Sequence, residues 1–213
     1  MSLNPADIHN LIQITSPSLS ADGSIVYVQS ATDTERSQAV SCLMIHEEGA
    51  SRPFTSGPKD SSPRHAPDGL LVGFLRADAD DDKNQVWVIS TTGGEARQVT
   101  RLPGGVVDFS WAPGSDRLVV VSRVDPDMVD DDGSPQTRVV QRIRYRDDGT
   151  GWRGNACSQL FVVDLVGSDA LQLTSGEGDH LAPAWSPEGD RIAYVSDAVE
   201  ARDVSRHSEV RVM

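Results

Sequence analysis

Short apolar runs recur along the chain, each introduced by a polar turn. The clearest is "APAWSPEGDRIAYVSD" at 182–197. Three relatives precede it: "SPSLSADGSIVYVQS" (16–30), "SPRHAPDGLLVGFLR" (62–76) and "DFSWAPGSDRLVVVSR" (108–123). Each has a short extended lead, a turn rich in Pro, Asp and Gly, and then an alternating or continuous apolar run. Second phrases answer them: "SCLMIHEEGASRPFTSG" (41–57), "QVWVISTTGGEARQVTR" (85–101) and "QLFVVDLVGSDALQLTSG" (159–176). Each of these is an apolar strand, a polar turn, and a short strand closing on Thr55, Thr100 or Thr174. "SEVRVM" (208–213) begins a fourth. Val, Ile, Tyr and Phe at near-alternating positions suit a pleated surface. Asp-Gly and Glu-Gly after Pro preset tight turns. Each unit is therefore predicted to be two hairpins, four short strands.

The spacing decides the architecture. Gly23 to Gly69 and Pro67 to Pro113 both span 46 residues, whereas Pro113 to Pro187 spans 74. The third unit thus carries an insertion of about 28 residues. A lone four-stranded sheet with apolar residues on both faces cannot bury them, but stacked units can. Strand-only units of this length, set radially, make a β-propeller. A β-helix needs much shorter repeats, and a sandwich has no need of such self-similarity. The prediction is an all-β chain of four-stranded antiparallel blades, about three and a half in number. They fall at 16–57, 58–102, 103–176 with an insertion at 125–158, and an incomplete 177–213. Asn4-Pro5 reads as a cap and first helical position, giving a short helical turn over 5–11. "LIQIT" (11–15) matches "LQLT" (171–174) and reads as a last strand placed ahead of the first unit. One alternative uses it to close a four-bladed ring. An open arc instead leaves strand edges and apolar faces uncovered, which favours self-association.

The phrase W-S-P-x-G-x-x-I-A-Y-V-S at 185–196 resembles the propeller repeats of the prolyl oligopeptidase family and of TolB-like proteins. "RIRYRDDGTGW" (142–152) followed by "QLFVVDL" (159–165) is similar to the third-blade region of the acylaminoacyl peptidases in that family. The opening "ADIHNLIQITSPSLSADGS" (6–24) is similar to how those propellers begin. The resemblance implies a propeller, often seven-bladed, that covers an α/β-hydrolase domain carrying a Ser-Asp-His triad and restricts access to peptides. This sequence departs from that pattern. It contains no G-x-S-x-G nucleophile elbow and no strand–helix alternation that builds a hydrolase sheet. The chain is therefore expected to be the N-terminal propeller portion of such a serine peptidase, with no catalytic residue of its own. Its expected partners are a missing C-terminal α/β-hydrolase domain and the parent enzyme's peptide substrates. The alternative is a stand-alone TolB-like propeller serving as a protein-binding module.

Charge and composition narrow the partners. A net charge of -13 opposes phosphate backbones and anionic membrane surfaces, so neither nucleic acid nor membrane is expected. Cys42 and Cys157 stand far apart in no metal-ligand spacing. They fit a reducing compartment, and a cytoplasmic location is expected. The five histidines (His9, His46, His65, His180, His207) form no i, i+4 pair and no cluster with cysteine. "DADDDKN" (78–84) begins like a calcium loop, but Lys83 replaces the sixth-position Gly and Ile89 the twelfth-position Glu. No metal and no cofactor are expected. Ser186 sits where the related phrases carry Ser20, Ala66 and Ala112, and so reads as a turn residue, not a nucleophile.

The insertion holds the candidate site. As a strand, 138–146 puts Arg138, Arg142, Arg144 and Arg146 on one face and Val139, Ile143 and Tyr145 on the other. Guanidinium groups hold carboxylates bidentately. Arg142, Arg144 and Arg146, with Trp152 as an anchor, are the residues expected to contact substrate or an interface. Pairing with Asp147, Asp148 or the 130–132 acids is the competing role. Trp87, Trp111 and Trp185 are expected to pack in cores.

Overall fold

The computed structural model describes residues 4, 7, 10–34, 38–77, 83–126, 140, 143, 145–147, 151–166, 169–199, 203–205 and 207–213. Among these the regular structure is β throughout, apart from a helical turn touching Asp7 and Asn10. Asp7 donates its backbone N–H to the Asn4 carbonyl at 2.9 Å, so Asn4 opens that turn. No described helix is long and apolar enough to cross a membrane. The chain divides into two compact units, Met1–Arg101 and Leu102–Met213.

The first unit holds two four-stranded antiparallel meanders. One comprises β1 (Gln13–Leu19), β2 (Ile25–Asp33), β3 (Gln38–Glu47) and β4 (Ala50–Pro53); the other β5 (Asp60–His65), β6 (Leu71–Ala77), β7 (Asn84–Ser90) and β8 (Arg97–Gln98). β5 lies against β1, β2 and β3. Val26, Val28, Leu43, Ile45 and Phe54 of the first sheet close on Val72, Phe74 and Ile89 of the second.

The second unit repeats the plan. β9 (Asp108–Trp111), β10 (Arg117–Val124), β13 (Cys157–Asp164) and β14 (Ala170–Gln172) form one meander. Between β10 and β13 the chain makes a separate two-stranded hairpin, β11 (Arg146–Asp147) and β12 (Gly151–Trp152). β15 (His180–Trp185), β16 (Ile192–Ser196) and β17 (Glu209–Val212) form the last, three-stranded sheet. β15 packs on β9, β10 and β13, and Val119, Val121 and Leu160 meet Ile192 and Tyr194. β10 is buried on both faces from Leu118 to Val121, which is why its sequence runs apolar without alternation.

The repeated phrases become repeated hydrogen bonds. In each first turn the residue at Ser20, Ala66, Ala112 or Ser186 donates across the loop to Ser24, Leu71, Arg117 or Arg191. Its carbonyl takes the N–H of Gly23, Gly69, Ser115 or Gly189. That third position has a positive φ in all four turns, which explains three glycines there. Thr100 and Thr174 each accept the N–H of the third strand, from Val86 and Leu160, at 2.8 and 2.9 Å. Both donate to a buried carboxamide, Gln85 or Gln159, at 2.8 Å. Thr55 accepts from Leu43 N in the same way. Cys42 stands where the glutamines would be, and the Thr55 hydroxyl turns to Asp60 instead.

One expectation is corrected. "LIQIT" is no separate closing strand. Gln13, Ile14 and Thr15 pair with Ser30, Gln29 and Val28 as the start of β1, within the first sheet. Ser16-Pro17 does not end the pairing. It is a bulge inside one strand, with Ser16 at φ +50°. Ser62 and Ala182 repeat it before Pro63 and Pro183.

Candidate functional site

Of the residues expected to make contacts, Arg146 and Trp152 are brought together. They are cross-strand partners in the β11–β12 hairpin, so their side chains share a face. Arg146 is exposed and Trp152 half-buried. The Trp152 ring leans on Tyr145 with centroids 5.7 Å apart at 55°. Arg138, Arg142 and Arg144 lie outside the described residues, as do Val139, Asp148 and the 130–132 acids. The described part offers one guanidinium beside an indole, a pairing suited to a carboxylate with an adjoining apolar group.

Two residues that the sequence did not single out, Arg153 and Asp179, are bonded beside this hairpin. Arg153 extends the ladder by donating its N–H to the Tyr145 carbonyl at 2.9 Å. Its carbonyl accepts from Ala156 N at 3.2 Å, and its Nε donates to the Ala156 carbonyl at 3.4 Å. Gly154 makes this reversal in the left-handed region at φ +59°, where a Cβ would stand 3.2 Å from Trp152 Nε1. Arg153 Nη2 then donates to Asp179 Oδ2, an ion pair with side chains only 15% and 11% exposed. Asp179 Oδ1 accepts from Ser158 N at 2.8 Å, and Asp179 N donates to Asp197 Oδ1 at 2.7 Å. The sequence signal for Arg153 is its place directly after a hairpin Trp.

Beside this arrangement opens a cleft of about 640 Å³, bounded by Asn155, Cys157, Gln159, Gln172, Glu177 and Asp203 among others. Its walls carry carboxamides and carboxylates, which can meet a peptide backbone or an amine. Gln159 is already engaged, donating from Nε2 to the Gly176 and Gly178 carbonyls at 3.0 and 3.2 Å. In the first unit a second hollow of about 610 Å³ lies at surface turns, between Asp22, Glu47, Glu48 and Arg52.

The described residues assemble no nucleophile. The Ser186 hydroxyl donates to Asp190 Oδ1 at 2.8 Å and accepts from Asp190 N and Arg191 N, as a turn residue does. Ser18 Oγ lies 3.0 Å from His65 Nδ1, but it also accepts the His65 backbone N–H at 3.0 Å. That hydroxyl is a seam between β1 and β5. Burial lowers the His65 pKa, partly offset by the nearby Asp22 carboxylate. Asp22 itself is lowered by the Ser24 N–H it accepts. His180 is buried edge-on to Tyr194 at 5.3 Å. Burial raises the Cys42 thiol; Cys42 and Cys157 are both free thiols. No group of three or more His, Cys, Asp or Glu side chains among the described residues is placed to hold a metal. The acids at 78–82 fall outside them.

No protein-family model matches the chain. It is 35% identical over 217 aligned positions to the uncharacterized peptidase YuxL of Bacillus subtilis, covering 97% of this chain and 33% of that protein. The chain spans about a third of the length of the curated relatives it matches first. The Pyrococcus horikoshii acylaminoacyl peptidase superposes with a TM-score of 0.75 at 18% identity, over 97% of this chain and 32% of that one. TolB from Acinetobacter baumannii superposes at 0.58 and 16% identity, over 95% of this chain and 41% of that one.

Proposed function

We propose that the chain is the propeller portion of an acylaminoacyl-peptidase-like member of the prolyl oligopeptidase family, the non-catalytic, substrate-gating part of a larger serine peptidase acting on peptides. The observation that carries this reading is the sequence match along 97% of the chain to one third of a peptidase. The blades supply wall, and a separate α/β-hydrolase domain supplies the nucleophile. In this reading Arg146 and Trp152 contact the peptide or the hydrolase domain, a role the sequence also assigns to Arg142 and Arg144. A cytoplasmic location accompanies it.

The likeness to TolB favours a second reading, a stand-alone propeller that binds a protein partner. Intact mass spectrometry of the natural protein separates the two. A mass far above 22.9 kDa, with a fluorophosphonate-labelled serine mapping beyond position 213, supports the peptidase. A natural protein of 22.9 kDa with no such serine supports the binding module.

A further inference from the structure

We infer that Arg153 and Asp179 are positioning residues whose ion pair seats the insertion hairpin on the last sheet and so fixes where Arg146 and Trp152 stand. The inference rests on the proposed gating role only for what those two residues touch.

Three observations carry it. First, the described hairpin has two paired positions, Arg146 with Trp152 and Asp147 with Gly151. It forms its own two-stranded sheet, and an isolated two-stranded hairpin is marginal in water and needs a tether. Second, Arg153 follows Trp152 directly and is bonded through its backbone to Tyr145. Its side-chain direction therefore sets the hairpin's direction, with no flexible residue between. Third, the anchor is held independently of the hairpin. Asp179 Oδ1 takes Ser158 N at 2.8 Å, and the Asp179 and Asp197 backbones and carboxylate bond to one another at 2.7 and 3.1 Å. A buried carboxylate so fixed accepts Arg153 in one place only. The charge requirement runs both ways: with Arg153 removed, Asp179 keeps a desolvated charge, and with Asp179 removed, Arg153 does.

Amide hydrogen exchange on the 213-residue chain tests this. In Arg153→Met, the amides of Arg153 and Ala156 should exchange about 10-fold faster or more, with those of β10 unchanged. Asp179→Asn should do the same, the double variant should add nothing further, and Arg153→Lys should recover part of the protection. If Asp179→Asn does not fold, Arg153→Met gives the same reading, because it leaves the Ser158 bond in place. Unchanged exchange at Arg153 and Ala156 in Arg153→Met overturns the inference. Kinetics of the parent peptidase then test the contact role separately. Arg153→Met should raise KM for a short acyl-peptide about 10-fold with kcat retained, and Arg153→Lys should restore it in part. A hairpin loosened by exchange with KM unmoved overturns the contact role of Arg146 and Trp152 and leaves the positioning pair standing.

Discussion

Each unit buries an aspartate where its second sheet begins, and each neutralises it with arginine, but the arginines come from different places. In the first unit Asp60 is fully buried. Arg76 Nε and Nη2 reach its two oxygens at 2.7 and 2.9 Å. Arg76 is the strand partner of Asp60, from the same sheet. Its guanidinium lies 5.1 Å from the centroids of both Phe74 and Trp87. Gly57 leaves the room, since a Cβ there would strike Asp60 and Arg76. In the second unit, aligning Pro63 with Pro183 puts His180 at the place of Asp60, and its strand partner is Ser196. That sheet has no arginine at the matching position. Asp179, one residue earlier, takes Arg153 from the insertion. One physical need, a cation for a desolvated carboxylate, is thus met within the repeat in one unit and by an added segment in the other. The second solution makes the insertion part of the blade's electrostatics.

The largest effect that sharpens this comparison is expected from Arg76→Leu. It strands a fully buried carboxylate and should cost about 3–5 kcal/mol of first-unit stability. Urea unfolding, read against the second unit, measures it. Arg153→Leu should cost less, because Asp179 is slightly exposed whereas Asp60 is fully buried. Equal losses would break the comparison. Next comes the threonine clasp. Thr174→Val leaves Leu160 N–H and Gln159 Oε1 without their shared hydroxyl and should cost about 2 kcal/mol. Thr55→Val should cost about 1 kcal/mol, since Asp60 keeps Arg76.

The smallest effect is a pH dependence confined to the first unit. The folded pKa of His65 lies below its ordinary 6.5, chiefly through burial. The unfolded chain therefore binds the proton more readily. First-unit stability should be full above pH 6.5 and fall as the pH drops below it, levelling off beneath the lowered folded value. Thermal unfolding at a series of pH values should show this slope in the native chain and lose it in His65→Gln.

How much of this was legible follows from the range of each interaction. The four turns at Ser20, Ala66, Ala112 and Ser186 are local, and their Pro, Asp and Gly residues announced them. Thr55, Thr100 and Thr174 were visible as a repeated place, although the glutamine partners at 85 and 159 were not. Register failed at Ser16-Pro17, because a bulge and a turn use the same residues. The ion pairs were invisible. Arg76 and Asp60 lie 16 positions apart, and Arg153 and Asp179 lie 26 apart. Charged side chains that far apart in the sequence show no pairing until the fold brings them face to face.

The central claim is that these sheets are wall and contact surface, with the reactive group in another domain. The direct measurement incubates the purified 213-residue chain with a fluorophosphonate probe and with acyl-peptide substrates. The account predicts no labelled serine and no hydrolysis above buffer. Stoichiometric labelling of one serine in this chain, with turnover abolished by its replacement with alanine, would contradict it.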